Sequence, residues 1–179
     1  MSDTKKRPYA QVNIVATHLA GALSSACHRI EIAGSLRRKK DLVGDIELVA
    51  IPKLHTNLIG EPMDTSEVDD LLATWPIELH KNGQKYKSFS FEWQPGWTFK
   101  VDLFLQPDPA TWGYNFMVRT GSAEFSKAMV TSRAYGGYKP QGLEISEARV
   151  SCDGVLLDTH EEEDIFRIWG MSFVPPKER

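Results

Sequence analysis

Asp45 and Glu47 stand two residues apart at the head of the apolar run Leu48-Val49-Ala50-Ile51. Side chains two apart on a strand point to one face, so this spacing predicts two carboxylates converging on one side of a sheet, with Ile46 and Leu48 packed behind them. Like charges held so close raise each other's proton affinity unless a cation sits between them, and a hard divalent metal is the natural candidate. Just upstream, residues 30–33 read as a strand end running into Gly34-Ser35. Such a turn bends the chain closely and aims backbone N–H groups at an anion, and a helix starting there favours phosphate at its amino end. Arg38 adds a bidentate grip on phosphate oxygens that lysine cannot match. Phosphate at one end and metal at the other describe a metal-nucleotide site.

Taken singly, these pieces are ordinary: a Gly-Ser turn, a solvated Arg37-Arg38-Lys39-Lys40 run, acids at an exposed strand end. Their order and short spacing gather every group at one sheet end. A third carboxylate follows. Residues 86–93 alternate Phe89, Phe91 and Trp93 with Ser88, Ser90 and Glu92, the pattern of a half-buried strand. After the turn signal Gln94-Pro95-Gly96-Trp97, residues 98–105 place Phe99, Val101, Leu103 and Leu105 on one face and Lys100 and Asp102 on the other. An acid in so apolar a strand is costly unless it is paired or bound to metal, and a salt bridge to Lys100 or an arginine satisfies it as well as a metal does.

The run Gly34-Ser35-Leu36-Arg37-Arg38, then Gly44-Asp45-Ile46-Glu47, Lys100-Val101-Asp102-Leu103, and Thr120-Gly121-Ser122 followed by Phe125 resembles the family X DNA polymerases, the polymerase beta-like group. The ending, from Asp164-Ile165-Phe166 through Trp169 to Pro175-Pro176-Lys177-Glu178-Arg179, resembles that family's carboxyl terminus, and the similarity covers nearly the whole chain. It implies an α+β fold: a nucleotidyltransferase-type palm over residues 1–108, with a mixed β-sheet flanked by helices, and a small α/β thumb subdomain over 109–179. Pro107-Asp108-Pro109 is the expected hinge, and no lyase or hairpin DNA-anchoring domain is expected, as in the compact viral members of the family.

The resemblance implies that Asp45, Glu47 and Asp102 are the catalytic, metal-binding acids, holding two Mg²⁺ ions or Mn²⁺ in their place, with Asp102 nearest the primer 3′-hydroxyl. Gly34, Ser35, Arg38 and Gly44 would hold the triphosphate. Gly121 and Ser122 match the loop passing close to the incoming nucleotide, with Val118, Arg119 and Ser126 beside it, while Lys127, Arg133 and Lys100 would serve DNA. Lys100 also stands where the family commonly has an arginine paired with the third acid, so the charge is kept and the bidentate fork is lost. Val118 and Arg119 replace an aromatic pair that checks the sugar, which leaves ribonucleotide rejection open. Ser126 and Val130 replace larger polar or basic residues, so fidelity is low or differently controlled. The implied activity is template-directed addition of dNMP to a primer 3′-hydroxyl, filling short gaps in DNA repair such as base excision repair. The partners would be dNTP and gapped or primer-template DNA, for a monomer that is intracellular, whether cytoplasmic, nuclear or viral, and not secreted. A nucleotidyltransferase acting on RNA, protein or a small molecule, and a non-catalytic nucleic-acid-binding module, are the competing readings.

The surrounding sequence must position these groups. Val12, Val15, Leu19 and Leu23 predict a helix over 11–27 packed on the sheet. Asp64 with Glu67 predicts a capped start for a solvated helix over 68–73, then a short strand near 77–80 and an Asn82-Gly83 turn. Thr120 or Ser122 caps a helix reaching about Ala134, with Phe125, Ala128 and Met129 buried and Gly136-Gly137 at its end. Residues 143–157 read as short strands about the Asp153-Gly154 turn. Thr159 with Glu162 then caps a final helix with Ile165, Phe166 and Trp169 inside. Cys27 and Cys152 have no metal-ligand spacing and suit a reducing compartment, their pairing left open. No apolar run of membrane length and no secretory leader pattern occurs, so no membrane is expected.

The net charge of -3 sits poorly with a nucleic-acid partner until its distribution is seen. Segments 61–72 and 158–164 hold five acids each and no Lys or Arg; setting those ten of the 24 acids aside leaves 14 against 21 bases. Most of the chain is therefore basic, and DNA affinity follows local Lys and Arg contacts. A modest, strongly salt-dependent affinity is expected.

Overall fold

The structure is a computed structural model describing residues 5–179, so the first four residues of the expected 1–108 palm lie outside it. A two-residue strand, β1 (Arg7–Pro8), delivers the chain into helix α1 (Tyr9–Leu23), where Val12, Val15, Ala16, Leu19 and Leu23 are all buried. Their i, i+3, i+4, i+7 spacing makes one apolar stripe. Strand β2 (Cys27–Ile32), the single turn α2 (Gly34–Arg37), β3 (Leu42–Val43) and β4 (Ile46–Pro52) follow, and β1 pairs with β3. Buried at nearly every position, β4 reads as a central strand and is one. The hairpin β5 (Leu54–Thr56) and β6 (Pro62–Ser66) leads into α3 (Glu67–Ala73), and β7 (Glu78–Asn82), β8 (Tyr86–Gln94) and β9 (Trp97–Leu105) finish the unit.

The main sheet is mixed, in the order β2-β4-β9-β8-β7, with β4 and β9 parallel and the other neighbours antiparallel. Its apolar face, with Leu48, Phe89, Val101 and Leu103, closes with α1 into one core. One compact unit ends at Pro107, and the second is Asp108–Arg179. In the second unit α4 (Trp112–Thr120), α5 (Ala123–Val130), the small antiparallel sheet β10 (Leu143–Ser146), β11 (Arg149–Cys152), β12 (Val155–Leu157) and α6 (Glu162–Ile168) enclose a separate core. Met117, Met129, Val150, Ile165, Phe166 and Trp169 fill it.

Several sequence expectations are corrected. Helix α3 is not a solvated prop: Lys87, on the same face of β8 as Phe89 and only 2% exposed, reaches Asp69 Oδ1 at 2.5 Å and Asn82 Oδ1 at 2.7 Å. Burial pushes the Asp69 carboxyl up, but hydrogen bonds from Lys87 and Ser66 outweigh it and hold that group below its ordinary value. The cap of α3 is Ser66 with Asp69 rather than Asp64 with Glu67, and that of α6 is Glu161 with Asp164 rather than Thr159 with Glu162. Thr159 is buried and bonds the Ala110 carbonyl instead. Helix α5 stops at Val130, not near Ala134, where Thr131 turns extended and its hydroxyl bonds back to the Lys127 carbonyl. Both cysteines are free, and burial pushes the Cys27 thiol up to about 11. Among the described residues no helix is long and apolar enough to cross a membrane.

Candidate active site

The parallel β4–β9 pairing sets Glu47 beside Asp102, and the antiparallel β8–β9 pairing sets Ser88 on the other side of Asp102. Glu47, Asp102 and Ser88 therefore form a row across three strands on the face opposite the α1 core. Asp102 is 7% exposed and fully engaged. Its Oδ1 accepts from Tyr86 Oη at 2.6 Å and Ser88 Oγ at 2.8 Å, and its Oδ2 accepts from Lys100 Nζ at 2.6 Å. Burial pushes this carboxyl up, but the bonds from Lys100, Tyr86 and Ser88 overcome burial and hold it below the usual range. Lys100 responds oppositely: burial lowers its ammonium, and Asp102 raises it above the ordinary value.

Asp45 lies one residue before β4 and is held above the ordinary carboxylate value, first by burial and then by the charge of Asp102; Lys100 and Arg38 offset this only in part. Two acids thus feel each other across adjoining strands. Because the folded value is raised, the stability associated with Asp45 is fully present below the unfolded value and is lost as pH rises through the folded one. Asp45→Asn is accordingly expected to melt above the wild type at neutral pH, the gain closing as pH falls. Calorimetry across pH 3 to 8 checks it, and a variant less stable at neutral pH would make Asp45 a structural residue.

Gly34 adopts φ +59°, and a Cβ added there would fall 1.7 Å from Glu47 Oε2. The Glu47 carboxylate lies against the turn, so the turn requires glycine for its conformation and for the close approach. Gly34→Ala is expected to lower stability by about 1–3 kcal/mol through backbone strain; equal melting of variant and wild type would place Glu47 elsewhere.

The expected set of three metal ligands is not assembled. Among the described residues no group of three or more His, Cys, Asp or Glu side chains is gathered closely enough to hold a metal ion. The reason is visible in the geometry, since Glu47 rests on Gly34 and the Asp102 oxygens are turned to two hydroxyls and an ammonium. Asp45 and Asp102 still fit a divalent cation in chemistry: they are hard oxygen donors whose repulsion a cation relieves. Mg²⁺ is commonly held by one or two carboxylates, the remaining positions going to water and substrate phosphates.

Beside Asp45 opens a hollow of about 670 Å³ that Ser35, Arg38, Gly44, Lys6, Lys40 and Asp41 also line. Ser35 Oγ is buried and has no hydrogen-bond partner among the described residues, as suits a hydroxyl that awaits an acceptor from outside. Lys6 was missed by sequence reasoning. The β1–β3 pairing, Arg7 to Val43 and Pro8 to Leu42, carries it beside Gly44, and a two-residue strand leaves no periodicity to read.

The second unit holds the remaining expected residues. Gly121 forms the corner between α4 and α5, where a Cβ would come 2.5 Å from Ser126 Oγ, and Ser122 caps α5 by accepting from Phe125 N. Ser126 Oγ donates to the Val118 carbonyl at 2.7 Å, so its hydroxyl ties that corner together. Val118 is half-buried against the second core, whereas Arg119 and Lys127 are exposed. Arg133 is exposed, and its guanidinium donates to the Trp169 carbonyl at 2.5 Å.

Residues 116–179 match the family model for the DNA polymerase beta thumb. The DNA polymerase lambda of Rattus norvegicus is 27% identical across 89% of this chain, and the chain spans 29% of that relative's length.

Proposed function

We propose that this family X polymerase-like protein is a template-directed DNA polymerase that adds dNMP to a primer 3′-hydroxyl and fills short gaps. The reading is carried by the hollow, where the cations Lys6, Arg38 and Lys40 and the unpartnered Ser35 hydroxyl meet Asp45, with Asp102 on the adjoining strand. In this reading the first unit is a nucleotidyltransferase-type palm and the second, which includes the thumb match, selects the nucleotide through Gly121, Ser122, Val118 and Arg119 and meets DNA through Lys127.

Arg38, Lys6 and Lys40 draw triphosphate oxygens into the hollow by charge-assisted hydrogen bonds, and Ser35 Oγ donates its unused hydrogen to one of them. Asp45 and Asp102 would hold Mg²⁺ or Mn²⁺, with Glu47 paired beside Asp102 as a further donor. A metal held there would supply Lewis acidity toward the 3′-hydroxyl and positive charge beside the transferred phosphoryl group. Asp102, kept ionised by its three donors, assists removal of the 3′-hydroxyl proton. Arg38 and Lys6 then retain pyrophosphate until it departs.

The test is extension of a labelled primer across a one-nucleotide gap with Mg²⁺ and each dNTP singly, with ribonucleotides alongside. Template-matched addition is expected, and ribonucleotide addition would follow from the missing aromatic pair at Val118 and Arg119. A non-catalytic DNA-binding module draws support from one observation, that three donors are not pre-gathered among the described residues; absence of addition on gapped and single-stranded DNA would favour it, unless RNA, protein or a small molecule proves the acceptor.

A further inference from the structure

We infer that Tyr86 and Ser88 are positioning residues for Asp102, fixing its carboxylate so that Oδ2 is the oxygen offered to the reaction. The inference rests on the catalytic role proposed for Asp102. Tyr86 and Ser88 lie two apart on β8 and so share its outer face, and the register that sets Ser88 opposite Asp102 sets Tyr86 opposite Phe104. Both hydroxyls converge on Oδ1, at 2.6 Å and 2.8 Å. A carboxylate oxygen has two lone-pair sites, and two donors fill them.

The other oxygen differs. Oδ2 accepts from Lys100 Nζ, whose side chain is 38% exposed and free to turn to water, so this oxygen alone has a donor that is readily exchanged. A simple ion pair with Lys100 gives no reason for two further hydroxyls on the far oxygen. Tyr86 is itself held in place: its ring stacks on Phe104 with centroids 5.1 Å apart, and Lys81 Nζ lies 5.5 Å from the ring centre. The phenol is therefore a rigid donor, and Ser88 is buried. Outer partners of this kind orient ligating carboxylates, and losing one typically lowers metal affinity or activity by about 10- to 100-fold.

Tyr86→Phe keeps the ring and its stacking while deleting one donor, and Ser88→Ala deletes the other. Mn²⁺ binding by electron paramagnetic resonance, without DNA or nucleotide, is measured beside kcat, KM for dNTP and melting temperature. Tyr86→Phe should weaken Mn²⁺ binding and lower kcat by about tenfold, with KM nearly unchanged and melting close to wild type; Ser88→Ala should act in the same direction. Wild-type Mn²⁺ affinity and kcat in both variants would overturn the inference, as would losses that merely follow the unfolded fraction, or a wild type that binds no Mn²⁺. A wild type that binds Mn²⁺ but extends no primer, with weaker binding in Tyr86→Phe, would uphold the positioning role and remove the polymerase reading instead.

Discussion

Asp102→Asn is expected to lower kcat by about three orders of magnitude, roughly 4 kcal/mol of transition-state stabilisation, while melting within a few degrees of the wild type. Asparagine keeps the shape of the side chain and the oxygen that accepts from Tyr86 and Ser88. What it loses is the charge, and with it the second oxygen, which becomes an NH₂ facing Lys100. That lysine, 38% exposed, has water to turn to. The alanine variant is a poorer test. Asp102 is buried and receives three hydrogen bonds, so its removal strands two hydroxyls, one of them buried, and an ammonium, at about 1–3 kcal/mol for each buried group left unsatisfied. Single-turnover extension across a one-nucleotide gap, with calorimetry on the same samples, decides between the roles. Turnover within tenfold of wild type would reduce Asp102 to an ion-pair partner of Lys100.

What was legible of the site was the neighbourhood of Asp45 and Asp102, because alternation along β9 and the apolar run of β4 assign faces without any knowledge of partners. Register was not. Nothing local says that Ser88 falls opposite Asp102, or that Tyr86 then reaches the same oxygen, since pairing is settled by the whole sheet. Lys87 was readable in part: strict alternation puts it on the Phe89 face, but its partner Asp69 lies on α3, eighteen residues away. The caps failed for a different reason. Asp64 with Glu67 and Ser66 with Asp69 are both acceptable capping pairs, and the end of β6 at Ser66 chooses the second. Likewise Thr159 meets the capping rule, yet its bond to Ala110, 49 residues away, takes it out of competition. Signals that recur every few residues are thus resolved by contacts far apart in the chain.

The same dependence on distant partners makes Arg179→Ala the most damaging substitution expected outside the site, costing about 3–5 kcal/mol. The Arg179 side chain is 0% exposed, and Nη1 donates to Glu162 Oε1 at 2.5 Å while Nε donates to the Val174 carbonyl at 2.7 Å. Its guanidinium lies 5.3, 5.1 and 5.2 Å from the ring centres of Phe125, Phe166 and Phe173. Each such contact contributes about 0.5–2 kcal/mol when desolvated. Alanine would leave the Glu162 carboxylate buried without this cation and would open a gap among three aromatic rings. Arg179 Nη2 has no hydrogen-bond partner among the described residues, so the pair is itself imperfectly satisfied. That imperfection sets the sign of the double substitution. Glu162→Leu with Arg179→Met removes both charges and keeps much of the volume, and buried pairs replaced by apolar residues of similar size are often neutral or stabilised. The double variant should accordingly recover at least about 2 kcal/mol relative to the sum of the single losses, a coupling within the range for residues in contact. Denaturant melts of the four proteins measure it. Additive losses would mean that the rings, and not the ion pair, hold Arg179 in place, and that Glu162 is satisfied without it.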